Sequence, residues 1–163
     1  MPNFEQHQSQ AASNISFVSF LNAEGKFSDW LLTGCFYSAV HIVEATVFLL
    51  PEVSCLFEVK GKKLPYKGRI LHSDDLKKNK PFNEFIPCSN HALRKKILIG
   101  TPSIFDKDYF EAYSDLEELS HKSRYDCYTK CNKRKERAIK KLNTIIKKFN
   151  ERKFSGTPLA TIE

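Results

Sequence analysis

The stretch from Trp30 to Leu50 constrains the fold most, because it is long and apolar on nearly all sides. Ser28 or Asp29 can accept hydrogen bonds from the amides of a first helical turn, and Pro51 ends a helix. A helix that is apolar all round has to be buried against several others. Glu44 lies near its middle, and an ionised group at the centre of a bilayer costs roughly 3 kcal/mol. The segment therefore predicts the central helix of a soluble protein, with no membrane partner.

Helical signals recur on both sides of this segment. Apolar residues three and four positions apart, preceded by capping residues, are typical of amphipathic helices. Such helices are predicted at Phe4–Asn22, at Ser89–Leu98, after Asp106 or Asp108, and at Lys133–Lys153. With 163 residues, 41% of them hydrophobic and 28% charged, the chain has the composition of a single globular domain. We therefore predict a mainly all-α fold, a four- to five-helix up-and-down bundle over 1–154, with a flexible tail at 155–163.

Residues 51–88 interrupt the helical pattern. Apolar residues alternate with others over Val53–Val59, the turn-like sequence Lys60–Lys63 follows, and a second extended stretch covers Leu64–Leu71. Residues 77–87 are polar and contain a proline, as in a connector. This pattern predicts an insertion in the bundle that forms a hairpin or an ordered loop.

Positive charge is concentrated near the end of the chain. Between Lys122 and Lys153 there are thirteen Lys and Arg and three acidic residues, a net charge of +10. Because the whole chain carries +7, the rest carries −3. Such an asymmetry is typical either of a solvated helix face or of a surface for RNA, DNA or nucleotide phosphate. The candidate nucleic-acid-binding residues are Lys133, Arg134, Arg137, Lys140 and Lys141.

The cysteines do not indicate disulfides or a metal centre. Their number, five, is odd, and their scattered spacing favours reduced thiols in the cytoplasm. Cys127 and Cys131 are four residues apart and follow His121, but zinc needs a fourth ligand and usually a tighter spacing. The sequence has no phosphate-binding loop or dinucleotide fingerprint. We therefore predict no metal and no cofactor.

Three stretches taken together resemble a bacterial group within the HEPN family (higher eukaryote and prokaryote nucleotide-binding). They are Asp29–Ala45, with its Asp-Trp start and Phe-Tyr, His and Val-Glu-Ala pattern, Ser89–Arg94, with His and Arg three apart, and Tyr109–Asp126, which contains an Arg-Tyr pair. Their order and helical placement agree with the family and cover about half of the chain. The resemblance implies a HEPN-type bundle in which 51–88 is an insertion.

The resemblance also implies a range of functions. HEPN proteins often form homodimers, and many are metal-independent endoribonucleases of toxin–antitoxin or other defence systems, whereas others bind nucleotides or RNA without cleaving them. In the best-known catalytic signature four to six residues separate an arginine from a following histidine, and the matching positions 129–131 after Arg124 contain no histidine. We therefore expect a nucleic-acid- or nucleotide-binding protein with an antitoxin-like protein partner. A divergent endoribonuclease and a helical protein-interaction dimer are the alternatives.

Catalysis without a metal would need a base and a cation for the phosphate, roles that suit histidine and arginine. His91 and Arg94 are one helical turn apart, and Arg124 would join them if their helices packed side by side. These three residues are the candidate catalytic set, although His91 and Arg124 can equally be surface residues at helix ends. His41 and Glu44 share a helical stripe and are either an oriented base or a satisfied polar pair inside the bundle.

Overall fold

The computed structural model describes residues 3–49, 56–59, 62–65, 90–125, 132–152 and 157–163. Within these ranges the helices are α1 (Phe4–Glu24), α2 (Ser28–Leu49), α3 (Asn90–Gly100), α4 (Lys107–Tyr125) and α5 (Asn132–Asn150), and the strands are β1 (Leu56–Val59) and β2 (Lys62–Pro65). The predicted mainly all-α bundle is therefore confirmed.

Helix α2 is the centre of the bundle, as its apolar sequence predicts. It packs against α1, α4 and α5, and side chains on most of its circumference are buried. Burial raises the pKa of the Cys35 thiol to about 12, so this cysteine is an inert core residue. In the described part of the chain, α2 alone is long and apolar enough to span a membrane, but 72% of its apolar window is buried inside the protein. The structure is therefore compatible with a soluble protein.

Side chains at the helix ends satisfy the backbone amides that a first turn leaves open. Asn3 accepts from the amide of Gln6 while the Gln6 side chain accepts from the amide of Asn3, a reciprocal capping box at the start of α1. The Asp106 carboxylate accepts from the amide of Tyr109 at 2.9 Å, so Asp106 and not Asp108 caps α4. Gly25, at φ 67°, ends α1 in the left-handed conformation that favours glycine.

Helices α1 and α2 approach closely at Gly34. A Cβ atom added at Gly34 would lie 2.8 Å from Cγ2 of Val18, which is shorter than any ordinary carbon–carbon contact. Because Val18 is fully buried, it has little room to move away. The glycine therefore sets the distance between the two helices.

We predict that Gly34→Ala destabilises the protein by about 1–3 kcal/mol, because the added methyl group overpacks the α1–α2 contact. Chemical denaturation followed by circular dichroism measures the change. Gly25→Ala is the matched control, since nothing lies within 4 Å of its added Cβ and its effect comes only from backbone strain. Restored stability in the double variant Gly34→Ala with Val18→Ala would support the overpacking. An unchanged Gly34→Ala would contradict it.

The predicted hairpin is present between α2 and α3. Strands β1 and β2 pair in antiparallel register, with Leu56 opposite Pro65 and Val59 opposite Lys62. The second strand begins at Lys62, inside the stretch predicted as a turn, and positions 66–71 of the predicted second strand lie outside the described residues. The rest of the predicted insertion, including the connector at 77–87, lies outside the described residues.

The C-terminal segment 157–163 differs from the flexible tail that its composition predicted. Leu159 and Ile162 are buried in the core. The side chain of Asn150 both donates to and accepts from the backbone of Leu159, and Asn143 does the same with Ile162, all at 2.8–3.0 Å. The two asparagines are seven residues apart on α5, a rise of about 10.5 Å, and their partners are three extended residues apart, a rise of about 10 Å. Because the two spacings match, each asparagine lies opposite its partner in the segment. The segment is therefore part of the fold.

Candidate functional site

His91 and Arg94 of the candidate catalytic set lie together where α3 packs on the bundle. Nε of Arg94 donates to Oε1 of Glu44 at 2.5 Å, and both side chains are more than nine-tenths buried. The His91 ring packs on Phe36, with ring centroids 5.1 Å apart, and Phe36 also contacts Tyr113. The predicted proximity of His91 and Arg94 is therefore observed, but the guanidinium of Arg94 is paired with the buried carboxylate of Glu44.

Arg124 lies in the last turn of α4. It is eleven residues beyond Tyr113 on α4, a rise of about 16 Å. Its neighbour Ser123 lies 3.5 Å from Thr33 at the start of α2, whereas Glu44 lies eleven residues further along that helix. The structure therefore brings together His91 and Arg94 and places Arg124 about three helical turns along the bundle from Glu44, the partner of Arg94.

The chemistry of the buried cluster is limited by the neighbours of His91. An arginine only donates hydrogen bonds, so the 3.4 Å contact from its Nη1 to Nδ1 of His91 requires an unprotonated Nδ1. The proton of a neutral His91 is then on Nε2, which therefore has no lone pair to act as a base. Burial also raises the pKa of the Tyr113 hydroxyl, so this phenol stays protonated. The cluster therefore suits hydrogen bonding and packing better than proton abstraction.

His41 and Glu44, on the predicted stripe of α2, each contact a residue of another helix. Glu44 binds Arg94, and Nδ1 of His41 lies 3.0 Å from Nδ1 of His7 on α1. His7 is buried, and the two rings are 5.3 Å apart between centroids. His7 was not predicted, because a single histidine in a polar first turn gives no signal for a partner on another helix.

Acidic residues on α4 and at its N-cap engage cations of α5, two of which were predicted to bind nucleic acid. Oδ2 of Asp115 lies 2.8 Å from Nη2 of Arg137 and 3.2 Å from Nζ of Lys141. Burial of Asp115 opposes ionisation, but its bonds to Arg137 and Lys141 outweigh this and lower the pKa of the carboxyl. At the other end of α5, Lys148 lies 2.5 Å from Asp106, and this bond lowers the pKa of Asp106. One flank of α5 is therefore partly neutralised.

The outer face of α5 keeps its positive charge. The helix has eight Lys or Arg and one Glu, a net charge of +7 that equals the charge of the whole chain. Lys140 is exposed, and Lys147, two turns further along the same face, has a side chain 76% exposed that lies 3.9 Å from Glu151. Arg134 is half-buried, and Lys133 lies in the first turn of the helix. We call the side of the helix that carries exposed Lys140 and Lys147 the outer face of α5.

An open groove of about 900 Å³ runs beside this face, between α5 and the C-terminal segment. Its lining contains Ile139 and Thr144, the two lysines Lys140 and Lys147, and the acidic residues Glu136, Glu151 and Glu163. The groove therefore combines apolar surface with two ammonium groups and three carboxylates.

Metal ligands do not cluster in the part of the chain that the structure describes. Cys127 and Cys131 lie outside it. Comparison with family models, with curated proteins and with solved structures finds no match for this chain. The interpretation of the site therefore depends on its geometry and charge.

Proposed function

We propose that this chain is a HEPN-like nucleic-acid- or nucleotide-binding protein that contacts phosphate through the outer face of α5. The observation that carries the proposal is the placement of exposed Lys140 and Lys147 on a helix of net charge +7, beside an open groove. Lysines on one helical face attract phosphates without reading sequence, and binding releases the counterions around the nucleic acid. The solvated-face interpretation is less favourable, because Asp115 and Asp106 neutralise one flank of the helix, whereas Lys140 and Lys147 stay exposed.

Binding without cleavage is the function that we favour over the endoribonuclease alternative. Arg94 is committed to Glu44, Nδ1 of His91 contacts Arg94, and Arg124 lies about 16 Å beyond Tyr113 along α4. A metal-free ribonuclease would need its base and its arginine around one phosphate. The family resemblance adds a homodimer, an antitoxin-like protein partner, a role in defence and a cytoplasmic location, all of which are part of the proposal.

A metal-free assay tests this function. The full chain is incubated with labelled mixed RNA in EDTA at low ionic strength, beside His91→Ala and Arg124→Ala. We expect all three proteins to retard the RNA in a native gel and to leave it intact. Cleavage by the wild type that either variant abolishes would instead establish an endoribonuclease. The absence of both retardation and cleavage would refute nucleic-acid binding.

A further inference from the structure

One end of the bundle exposes an unusual number of aromatic side chains. Phe20 is 58% exposed, Phe27 62% and Trp30 59%, and all three lie at the turn between α1 and α2. Phe17 and Tyr37 extend this row along the two helices and are 45% and 38% exposed. Large aromatic side chains are normally buried, so a group of exposed ones at one end of a bundle indicates a binding surface.

The backbone at Phe27 supports a role outside the core. Its φ of 56° places a bulky residue in the left-handed region that glycine favours. Such a conformation costs roughly 1 kcal/mol or more and is usually kept where a function needs it. In this structure it holds an aromatic ring in solvent at the start of α2.

Basic residues of α4 and α5 lie at the same end of the bundle. Nζ of Lys135, in the first turn of α5, donates to the carbonyl of Asn22 at 3.3 Å, which places the basic start of α5 beside the end of α1. The contact between Thr33 and Ser123 places the last turn of α4 beside the start of α2. Arg124 is exposed in that last turn.

The exposed aromatic residues at this end span a length close to that of a short run of nucleotides. Trp30 and Tyr37 are seven residues apart on α2, about 10.5 Å, and Phe17 lies across Gly34 between them. In the part of the chain that the structure describes, the remaining large exposed apolar residue, Ile99, is on α3 and outside this group. Aromatic faces stack on bases of any sequence, and nearby cations follow the phosphates.

We propose that this end of the bundle binds single-stranded nucleic acid, with bases stacked on Phe20, Phe27 and Trp30 and phosphates along Arg124 and the start of α5. The inference deepens the proposed function and rests on it. Glu24 and Asp29 lie in the same turn as the aromatic residues, so the phosphates follow the α4 and α5 side. The basic charge favours a polyanion over an apolar protein partner. Duplexes bind less well, because their paired bases cannot stack on side chains.

Trp30 is the single tryptophan of the chain, so its fluorescence reports directly on this surface. The full chain is titrated with a twelve-nucleotide oligouridine and with an RNA duplex of the same length. We expect the single strand to quench Trp30 fluorescence and to bind about tenfold more tightly than the duplex. Phe20→Leu is expected to weaken single-strand binding about tenfold and duplex binding much less. Ile99→Ser is the control, because Ile99 is exposed but lies outside the aromatic group. It should change neither the single-strand affinity nor the duplex affinity.

The outcomes separate this inference from the proposed function. Equal affinity for both RNAs without quenching would overturn the stacking surface and leave phosphate binding by α5 intact. If neither RNA binds, both proposals fail. Self-association that Phe20→Leu abolishes, without any effect on RNA binding, would assign the aromatic surface to a protein partner and overturn the inference. Thermal unfolding of Phe20→Leu should match the wild type, because the side chain is exposed.

Discussion

Glu44→Ala is expected to lower the free energy of unfolding by about 3–5 kcal/mol. The substitution leaves the Arg94 guanidinium buried without its carboxylate, and an unpaired buried charge is far more costly than a lost surface pair. For a chain of this length the expected fall in melting temperature is roughly 6–20 °C. Differential scanning calorimetry or thermal circular dichroism measures it.

Two matched variants test whether burial of the ion pair causes the large loss of stability. Glu111 lies 3.7 Å from Lys107 in an exposed pair on α4, so Glu111→Ala should cost less than about 0.5 kcal/mol. The double variant Glu44→Leu with Arg94→Met removes both charges and should be more stable than Glu44→Ala. A Glu44→Ala variant as stable as Glu111→Ala would contradict a buried ion pair at this site.

Leu159→Ala is the second change with a large expected effect, about 2–5 kcal/mol. Leu159 is buried between α1 and α5, and its loss removes one of the two apolar anchors of the C-terminal segment. Because Asn143 accepts from the amide of Ile162, we also expect faster hydrogen exchange at Ile162 in this variant.

The exposed neighbour Thr161 provides the control for this experiment. Thr161→Ala should change stability by less than about 0.5 kcal/mol and leave the exchange at Ile162 as in the wild type. If the Ile162 amide of the wild-type protein exchanged at the rate of an unstructured peptide, the segment would be a flexible tail after all. The same exchange rate in Leu159→Ala and in the wild type would also contradict the account.

Local patterns were sufficient to predict the helices, because each one depends mainly on its own residues. Helix α2 is apolar on nearly all sides and therefore has to be buried in any arrangement of the helices, and helix α5 has its apolar residues on one face. The C-terminal segment could not be predicted in this way. Leu159 and Ile162 are isolated apolar residues in a short polar stretch, and only the distant Asn143 and Asn150 give their backbone its hydrogen bonds.

The candidate site was predictable in part for the same reason. His91 and Arg94 are one turn apart on a helix, so their proximity follows from sequence spacing. Glu44 as the partner of Arg94 and Asp115 as the partner of Arg137 come from other helices, and no spacing indicates which faces meet. The sequence could therefore identify the charged residues but not the pairs that remove some of them from binding.

The salt dependence of RNA binding tests the central claim, phosphate binding by the outer face of α5, most directly. Fluorescence anisotropy gives the association constant of the full chain for a labelled RNA between 50 and 200 mM salt. The slope of its logarithm against the logarithm of salt concentration counts the phosphates that are contacted.

The account predicts that Lys140→Ala with Lys147→Ala makes this slope shallower by about two. Arg137→Ala with Lys141→Ala is the matched control and should change the slope less, because Asp115 already neutralises these cations. Equal slopes for the wild type and the Lys140–Lys147 variant, or binding that does not depend on salt, would contradict it.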